Sequence, residues 1–161
     1  MQHDRLLQVG MPSFEPKDPN FRERVAASFQ RQAVMHTLGI EIARLEPGEI
    51  ELTMPYAQRF TQQHGFVHAG IITTALDSAC GYAAFSLMPA DAAVLTVEFK
   101  TNLLAAAKGE RFVFRGKVIK PGRTLTICDA SAFAIDASAE RLIATMTGTL
   151  MALFDRAGVD G

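Results

Sequence analysis

Between Gln62 and Ala84 the chain reads QQHGFVHAGIITTALDSACGYAA, and the residues able to do chemistry are concentrated there. A polar loop carrying Gln62, His64, Gly65 and His68 runs into an apolar segment whose single charge is Asp77. From Ala69 to Leu87 there is no proline and no second charged residue, and small residues dominate. This predicts a helix starting near Ala69 and enclosed on nearly all sides. Gly70, Thr73, Thr74, Asp77 and Gly81 then share one narrow polar face. The amides of a first helical turn lack internal partners and sit at the positive end of the dipole, so those of Ala69 and Gly70 can hold developing negative charge. Gly70 also lets a ligand approach the backbone closely. Aspartate inside an apolar helix carries a desolvation cost that a partner or a task must offset. Asp77 is therefore the first candidate for a catalytic group, the alternative being a structural carboxylate held by a loop amide or an arginine. The carboxylate and the helix-start amides are expected to face one small volume.

Ile71, Ile72, Ala75, Leu76 and Ala79 cover the rest of this helix and need a wide apolar partner, most simply a sheet. The chain supplies one. GIEIARLEPGEIELTMP alternates around Pro47-Gly48, predicting a hairpin that Pro55 ends, and residues 56–67 read as loop with a short helical turn. After Met88-Pro89 the period becomes two. In AVLTVEFKTNLL, Leu95, Val97, Phe99, Thr101 and Leu103 fall on one face, while Thr96, Glu98, Lys100 and Asn102 fall on the other. RFVFRGKVIK, TLTICDASAFAI and LIATMTGTLMALF repeat the pattern, with a turn at Lys120-Pro121-Gly122-Arg123. Upstream, Asn20 is a plausible cap for one amphipathic helix ending at Gly39. The expected organisation is an extended lead-in over 1–19, a single domain over 20–155 and a short tail over 156–161.

Composition bounds the function. A chain of 161 residues that is 48% hydrophobic can bury a core without metal or disulfide support. A formal net charge of -1 with no basic cluster argues against nucleic acid. Cys80 and Cys128 sit in apolar segments without ligand spacing and read as buried thiols of a reducing compartment. No apolar run of signal-peptide length opens the sequence, and Asp77 argues against a membrane span, so a cytoplasmic location is expected. His64 and His68 are four apart, but no third ligand has suitable spacing, and no metal is expected.

A curved antiparallel sheet of about six strands wrapped around one long buried helix satisfies both periodicities, an α+β arrangement known as the hot-dog fold. At this point the residues resemble the phenylacetate-pathway, PaaI-like thioesterases. That family's signature is an Asn or Gln in a loop, a Gly, a His-Gly-Gly at the helix start and an Asp on the helix. The matching stretch is Gln62-x-x-Gly65-x-x-His68-Ala69-Gly70 with Asp77. Thr96-Val97-Glu98-Phe99 and Gly122-Arg123-Thr124 resemble two further family positions, so that the likeness spans roughly residues 39–152.

The resemblance implies an acyl-CoA thioesterase. Asp77 is the nucleophile or the general base, the polarising amide belongs to the first Gly position, here Ala69, and Gln62 donates to the carbonyl or positions water. His68 orients the loop or the substrate rather than acting as a base. The resemblance also implies sites lying between subunits of a homodimer, commonly paired into a tetramer, with Thr96 reaching the neighbour's site. Gly122, Arg123 and Thr124 are candidates for the phosphates of coenzyme A, which is part of the substrate; no other cofactor is implied. Phe60, Phe66, Tyr82 and Phe85 are expected to shape a pocket for an aryl or medium aliphatic acyl group. The rivals are a non-catalytic acyl-CoA sensor, which would not need Asp77, and a hydratase or dehydratase, whose paired Asp and His in one helix-leading loop are not matched.

Overall fold

A computed structural model describes residues 13–137, 139–155, 157 and 158. Residues 1–12 of the lead-in expected over 1–19, and most of the expected tail, lie outside them. Two helices, α1 (Phe21–Gln30) and α2 (Ala33–Leu38), replace the single helix expected from Asn20 to Gly39. The chain breaks at Gln32, whose ψ of 98° is extended, and turns so that Met35 and Leu38 bury together with Val25 and Phe29. Gly39 ends α2 in the left-handed conformation, φ 66°, that favours glycine.

The strands β1 (Glu41–Glu46) and β2 (Glu49–Pro55) form the expected hairpin around Pro47-Gly48. A short 3-10 turn at Gln58–Phe60 precedes the central helix α3 (Ala69–Phe85). Four long strands follow: β3 (Ala93–Leu103), β4 (Arg111–Lys120), β5 (Leu125–Asp136) and β6 (Ala139–Leu153). All pairings are antiparallel, and the six strands lie in the order β1-β2-β4-β5-β6-β3. The sheet curves around α3, giving the hot-dog arrangement.

Inward alternation does the packing. Leu52, Met54, Phe112, Phe114, Cys128, Ala130, Met146 and Leu150 are all buried, facing Ile72, Ala75, Leu76 and Ala79 of α3. The helix comes closest at Gly116, where a Cβ would lie 2.4 Å from the carbonyl oxygen of Ala79. Only glycine fits there. The far end of α3 is held by Arg24, which donates to the carbonyls of Phe85 (3.2 Å) and Met88 (2.7 Å), pairs with Asp18 at 2.8 Å and lies over the Phe85 ring. Such a cation suits the negative end of a helix. No helix of the described residues is long and apolar enough to cross a membrane.

The edge strand β3 departs from the expected two faces. Its pairing with β6 slips between Thr96 and Glu98, leaving Val97 as a bulge. A bulge moves the later side chains to the opposite face. Thr96 therefore points inward, opposite Leu150, whereas Leu95 points outward, opposite Met151 and away from Phe99, Thr101 and Leu103. Leu95, Val97, Phe99 and Leu103 stay 47%, 53%, 47% and 59% exposed, so this edge is apolar and uncovered.

Candidate active site at the start of the central helix

The loop that delivers the chain to α3 folds back on itself. Thr61 bridges Val67, the Gln62 N–H donates to the Phe66 carbonyl at 2.9 Å, and the Gly65 N–H donates to the Gln62 carbonyl at 3.0 Å. Gly65 takes φ 81° to close this turn, and Tyr56 donates to its carbonyl at 3.3 Å. Inside the turn, the Gln62 side-chain oxygen accepts the N–H of His64. That commits the oxygen to the loop and leaves the Gln62 NH2 as the free donor. Gln62 and Ala69 both line a cleft of about 370 Å³ whose remaining wall includes Phe66, Ile72, Leu103, Leu104 and Ile143.

His68 caps the helix. Its Nδ1 accepts the Gly70 N–H at 2.9 Å, which requires a neutral ring with its proton on Nε2. This bond chooses among the expected alternatives. It takes up the Gly70 amide, which leaves Ala69 of the two expected oxyanion donors, and it gives His68 the loop-holding role. The Ala69 N–H has no hydrogen-bond partner among the described residues, so of the two helix-start amides it is the one left free on the cleft.

Asp77 lies eight residues further along α3, about 12 Å at 1.5 Å per residue. It is absent from the cleft wall, so within one chain the carboxylate and the Ala69 amide do not face the same small volume as expected. Asp77 is half-buried, and its Oδ1 accepts a hydrogen bond from Thr96 Oγ1 at 2.8 Å. Thr96 thus holds the Asp77 of its own chain. The bulge at Val97 is what turns it inward. Burial pushes the Asp77 carboxyl above the ordinary range, and the Thr96 hydroxyl opposes that shift by stabilising the ionised form. Cys80, one turn on, is no rival: burial drives its thiol far up, as it drives Cys128 up to about 12.

The remaining candidates separate. Phe66 lines the cleft. Tyr82 does not; α1 covers it, so that its ring meets Phe29 and Phe85 edge-on and its hydroxyl meets Ser28. Phe85 is fully buried and Phe60 packs against the core, so neither shapes the cleft. Gly122, Arg123 and Thr124 are exposed in the β4–β5 turn, beside the end of β6, where the Ala152 N–H donates to Thr124. That is the opposite end of β3 from Leu103, roughly 30 Å along a strand of this length. Among the described residues no three His, Cys, Asp or Glu side chains converge on a metal-binding group. The loop wall at Leu103, Leu104 and Ala105–Ala107 went unrecognised in the sequence, where LLAAAKG reads as the end of a strand. The run of small residues before Lys108-Gly109 was its only signal.

The geometry can now be set beside known proteins. The model of the thioesterase superfamily matches residues 64–138. A thioesterase family protein from Silicibacter pomeroyi, known from its crystal structure, is 63% identical with a TM-score of 0.82, covering 83% of this chain and 98% of its own. A Saccharolobus solfataricus protein carrying a provisional esterase name is 31% identical over 104 residues, 65% of this chain and 69% of its own length. The E. coli PaaI protein from the phenylacetic acid degradation operon is 18% identical with a TM-score of 0.73, covering 88% of this chain and 96% of its own, a likeness of fold. With the family match and these relatives, the chain belongs to the thioesterase superfamily and carries its hot-dog fold.

Proposed function

We propose that the protein is a PaaI-like acyl-CoA thioesterase, hydrolysing an aryl- or medium-chain acyl-CoA to the free acid and coenzyme A at sites shared between two copies of the chain. The observation that carries this reading is Asp77. It is a half-buried carboxylate on the polar face of an otherwise apolar helix, with Oδ1 held by Thr96. Among the described residues no cation forms an ion pair with it.

A second copy supplies what one chain lacks. The uncovered, apolar edge of β3 invites an antiparallel partner, and pairing with itself sets the beginning of one β3 beside the end of the other. Thr96 and Asp77 of one copy then approach the Leu103 end of its partner, where Ala69 and Gln62 lie. In that arrangement the Ala69 N–H and the Gln62 NH2 take the thioester oxygen as charge develops on it. The carboxylate either takes a proton from a water that attacks the carbonyl carbon, or attacks it directly to give an acyl–Asp77 anhydride that a water then cleaves. In both routes the C–S bond breaks, coenzyme A leaves as its thiolate and takes up a proton from the water, and the acyl group departs as the free acid. The exposed Arg123, with Gly122 and Thr124, is carried toward the same partner cleft and is placed to meet the phosphates of coenzyme A. This chemistry calls for no metal or redox cofactor.

The test is a panel of acyl-CoA esters with free-thiol detection, run on the parent and on Asp77→Ala. The variant is expected to keep its melting transition and lose at least about a hundredfold in kcat, the scale of a positioned base. Equal rates in the two proteins would refute the assignment.

A further inference from the structure

The side chains that line the cleft beside Ala69 are nearly all apolar. Phe66, Ile72, Leu103, Leu104 and Ile143 give it bulk, Ala105–Ala107 give it a flat side, and among the described residues no charged side chain lines it. Among the described residues Gln62 is its one polar side chain, and its oxygen holds His64, while its NH2 is the group the proposed reaction assigns to the thioester oxygen. The flat side is pinned. The N–H groups of Leu104 and Ala105 both donate to the Ile143 carbonyl (2.8 and 3.2 Å), the Val67 N–H donates to Ala107 at 3.0 Å, and that of Lys108 to Ala106 at 2.9 Å. Arg141, projecting from β6, adds a clasp by donating to the carbonyls of Ala106 (3.3 Å) and Lys108 (3.1 Å).

We propose that the segment Leu104–Lys108, clasped by Arg141, is the wall that selects the acyl group, and that it selects an unsubstituted hydrocarbon chain of limited length. A volume of about 370 Å³ holds about a dozen non-hydrogen atoms at ~30 Å³ each, an acyl chain of about eight to ten carbons with its carbonyl. A hydroxylated aryl group or a carboxylated chain would bring a polar group against a wall with no free polar side chain to meet it, and binds less well than a hydrocarbon chain of the same length on that ground. Arg141 is a positioning residue, acting through the loop it fixes. The inference rests on the thioesterase reading only for which end of the ligand enters.

Binding of S-alkyl-CoA thioethers, which cannot be hydrolysed, tests it by calorimetry across butyl, hexyl, octyl, decyl and dodecyl. Affinity should tighten by up to about fourfold per methylene and level off between octyl and decyl. Ala106→Phe should lower the octyl-to-butyl affinity ratio at least tenfold, and Arg141→Met several-fold, with Arg141→Lys recovering part of it and all three variants melting as folded proteins. Affinity indifferent to chain length, a ratio unmoved in both folded variants, or tighter binding of a hydroxyphenacyl or carboxyhexyl thioether than of hexyl would overturn the proposal. Since no turnover is read, chain-dependent affinity without any hydrolysis of the matching esters would remove the thioesterase reading and leave the wall standing.

Discussion

Thr96 Oγ1 donates to Asp77 Oδ1 at 2.8 Å, across the space between the edge strand and the central helix of a single chain. The bond opposes the effect of burial on the carboxyl, and the balance sits on the raised side. Thr96→Val removes the opposing contribution and leaves desolvation alone, so the Asp77 carboxyl moves further up. If activity requires the ionised carboxylate, the acid limb of kcat/KM against pH shifts to higher pH. The rate at its plateau should also fall about tenfold, the value of one hydrogen bond to a charged group. Thr96→Ser should restore both. A pH profile superimposable on the parent's would show that the hydroxyl does not tune the base.

The same raised carboxyl has a consequence for stability. A group that binds its proton more readily when folded than when unfolded makes the fold less stable once it ionises. Its unfavourable contribution is present above the raised folded pKa, declines as pH falls through it, and is gone below the unfolded value of about 3.9. Asp77→Asn keeps the shape and a partner for Thr96 but cannot ionise. The variant should therefore melt above the parent at pH 7, by a margin that shrinks as the pH is lowered toward 4, while its turnover is lost. Thermal melts of both proteins across that range settle the sign; a margin that widens on acidification would contradict the burial assigned to Asp77.

Ala69 allows a substitution that removes one hydrogen and little else. It is the first residue of α3, where proline is well tolerated, and His68 before it already has the extended backbone, φ -60° and ψ 139°, that a following proline demands. Ala69→Pro deletes the free N–H without breaking the helix. The expected result is a folded protein with kcat lowered by 10²- to 10³-fold, roughly the worth of one oxyanion donor. Gly70→Ala, by contrast, should lower kcat only modestly, because that amide serves His68 and a Cβ there meets only the His68 ring, at 3.1 Å.

Much of this was legible in the residues because it is local. The helix start at Ala69 follows from loop chemistry and an uncharged run, and the Pro47-Gly48 hairpin from turn propensity and alternation. The features that escaped depend on pairing. Nothing in VLTVEFKTN marks Val97 as a bulge, because the extra residue appears only when β3 is set against β6, and with it goes the face on which Thr96 lies. Tyr82 read as a pocket residue since its burial is imposed by α1, a segment some fifty residues away. Separation along a helix was legible in principle: the eight-residue step from Ala69 to Asp77, about 12 Å of helix, already keeps amide and carboxylate of one chain apart.

Gly116 tests how tightly the helix must seat. A methyl there would meet the Ala79 carbonyl oxygen at 2.4 Å and its carbon at 2.6 Å, both backbone atoms of α3 that cannot turn aside. Gly116→Ala must push the helix off β4, at about 1–3 kcal/mol for an overpacked core. Urea denaturation should show a lowered midpoint with an unchanged slope. Since Asp77 lies two residues from the contact, kcat should fall as well. A stability equal to that of the parent would mean that the sheet yields instead.

Shared sites make a prediction that no single-chain arrangement can mimic. In the proposed homodimer Ala69→Pro spoils the amide side and Asp77→Asn the carboxylate side, so a dimer of either variant alone has two spoiled sites. When the two variants are unfolded together in equal amounts and refolded, half of the dimers should be mixed. Each mixed dimer pairs one intact Ala69 with the intact Asp77 of its neighbour, restoring one of its two sites, so about a quarter of parental activity should return. If both groups acted within one chain, every chain in the mixture would still carry a defect in its own site, and no activity would be regained. The measurement is free-thiol release before and after subunit exchange, with light scattering to confirm that the mixture reassembles to the parent's size.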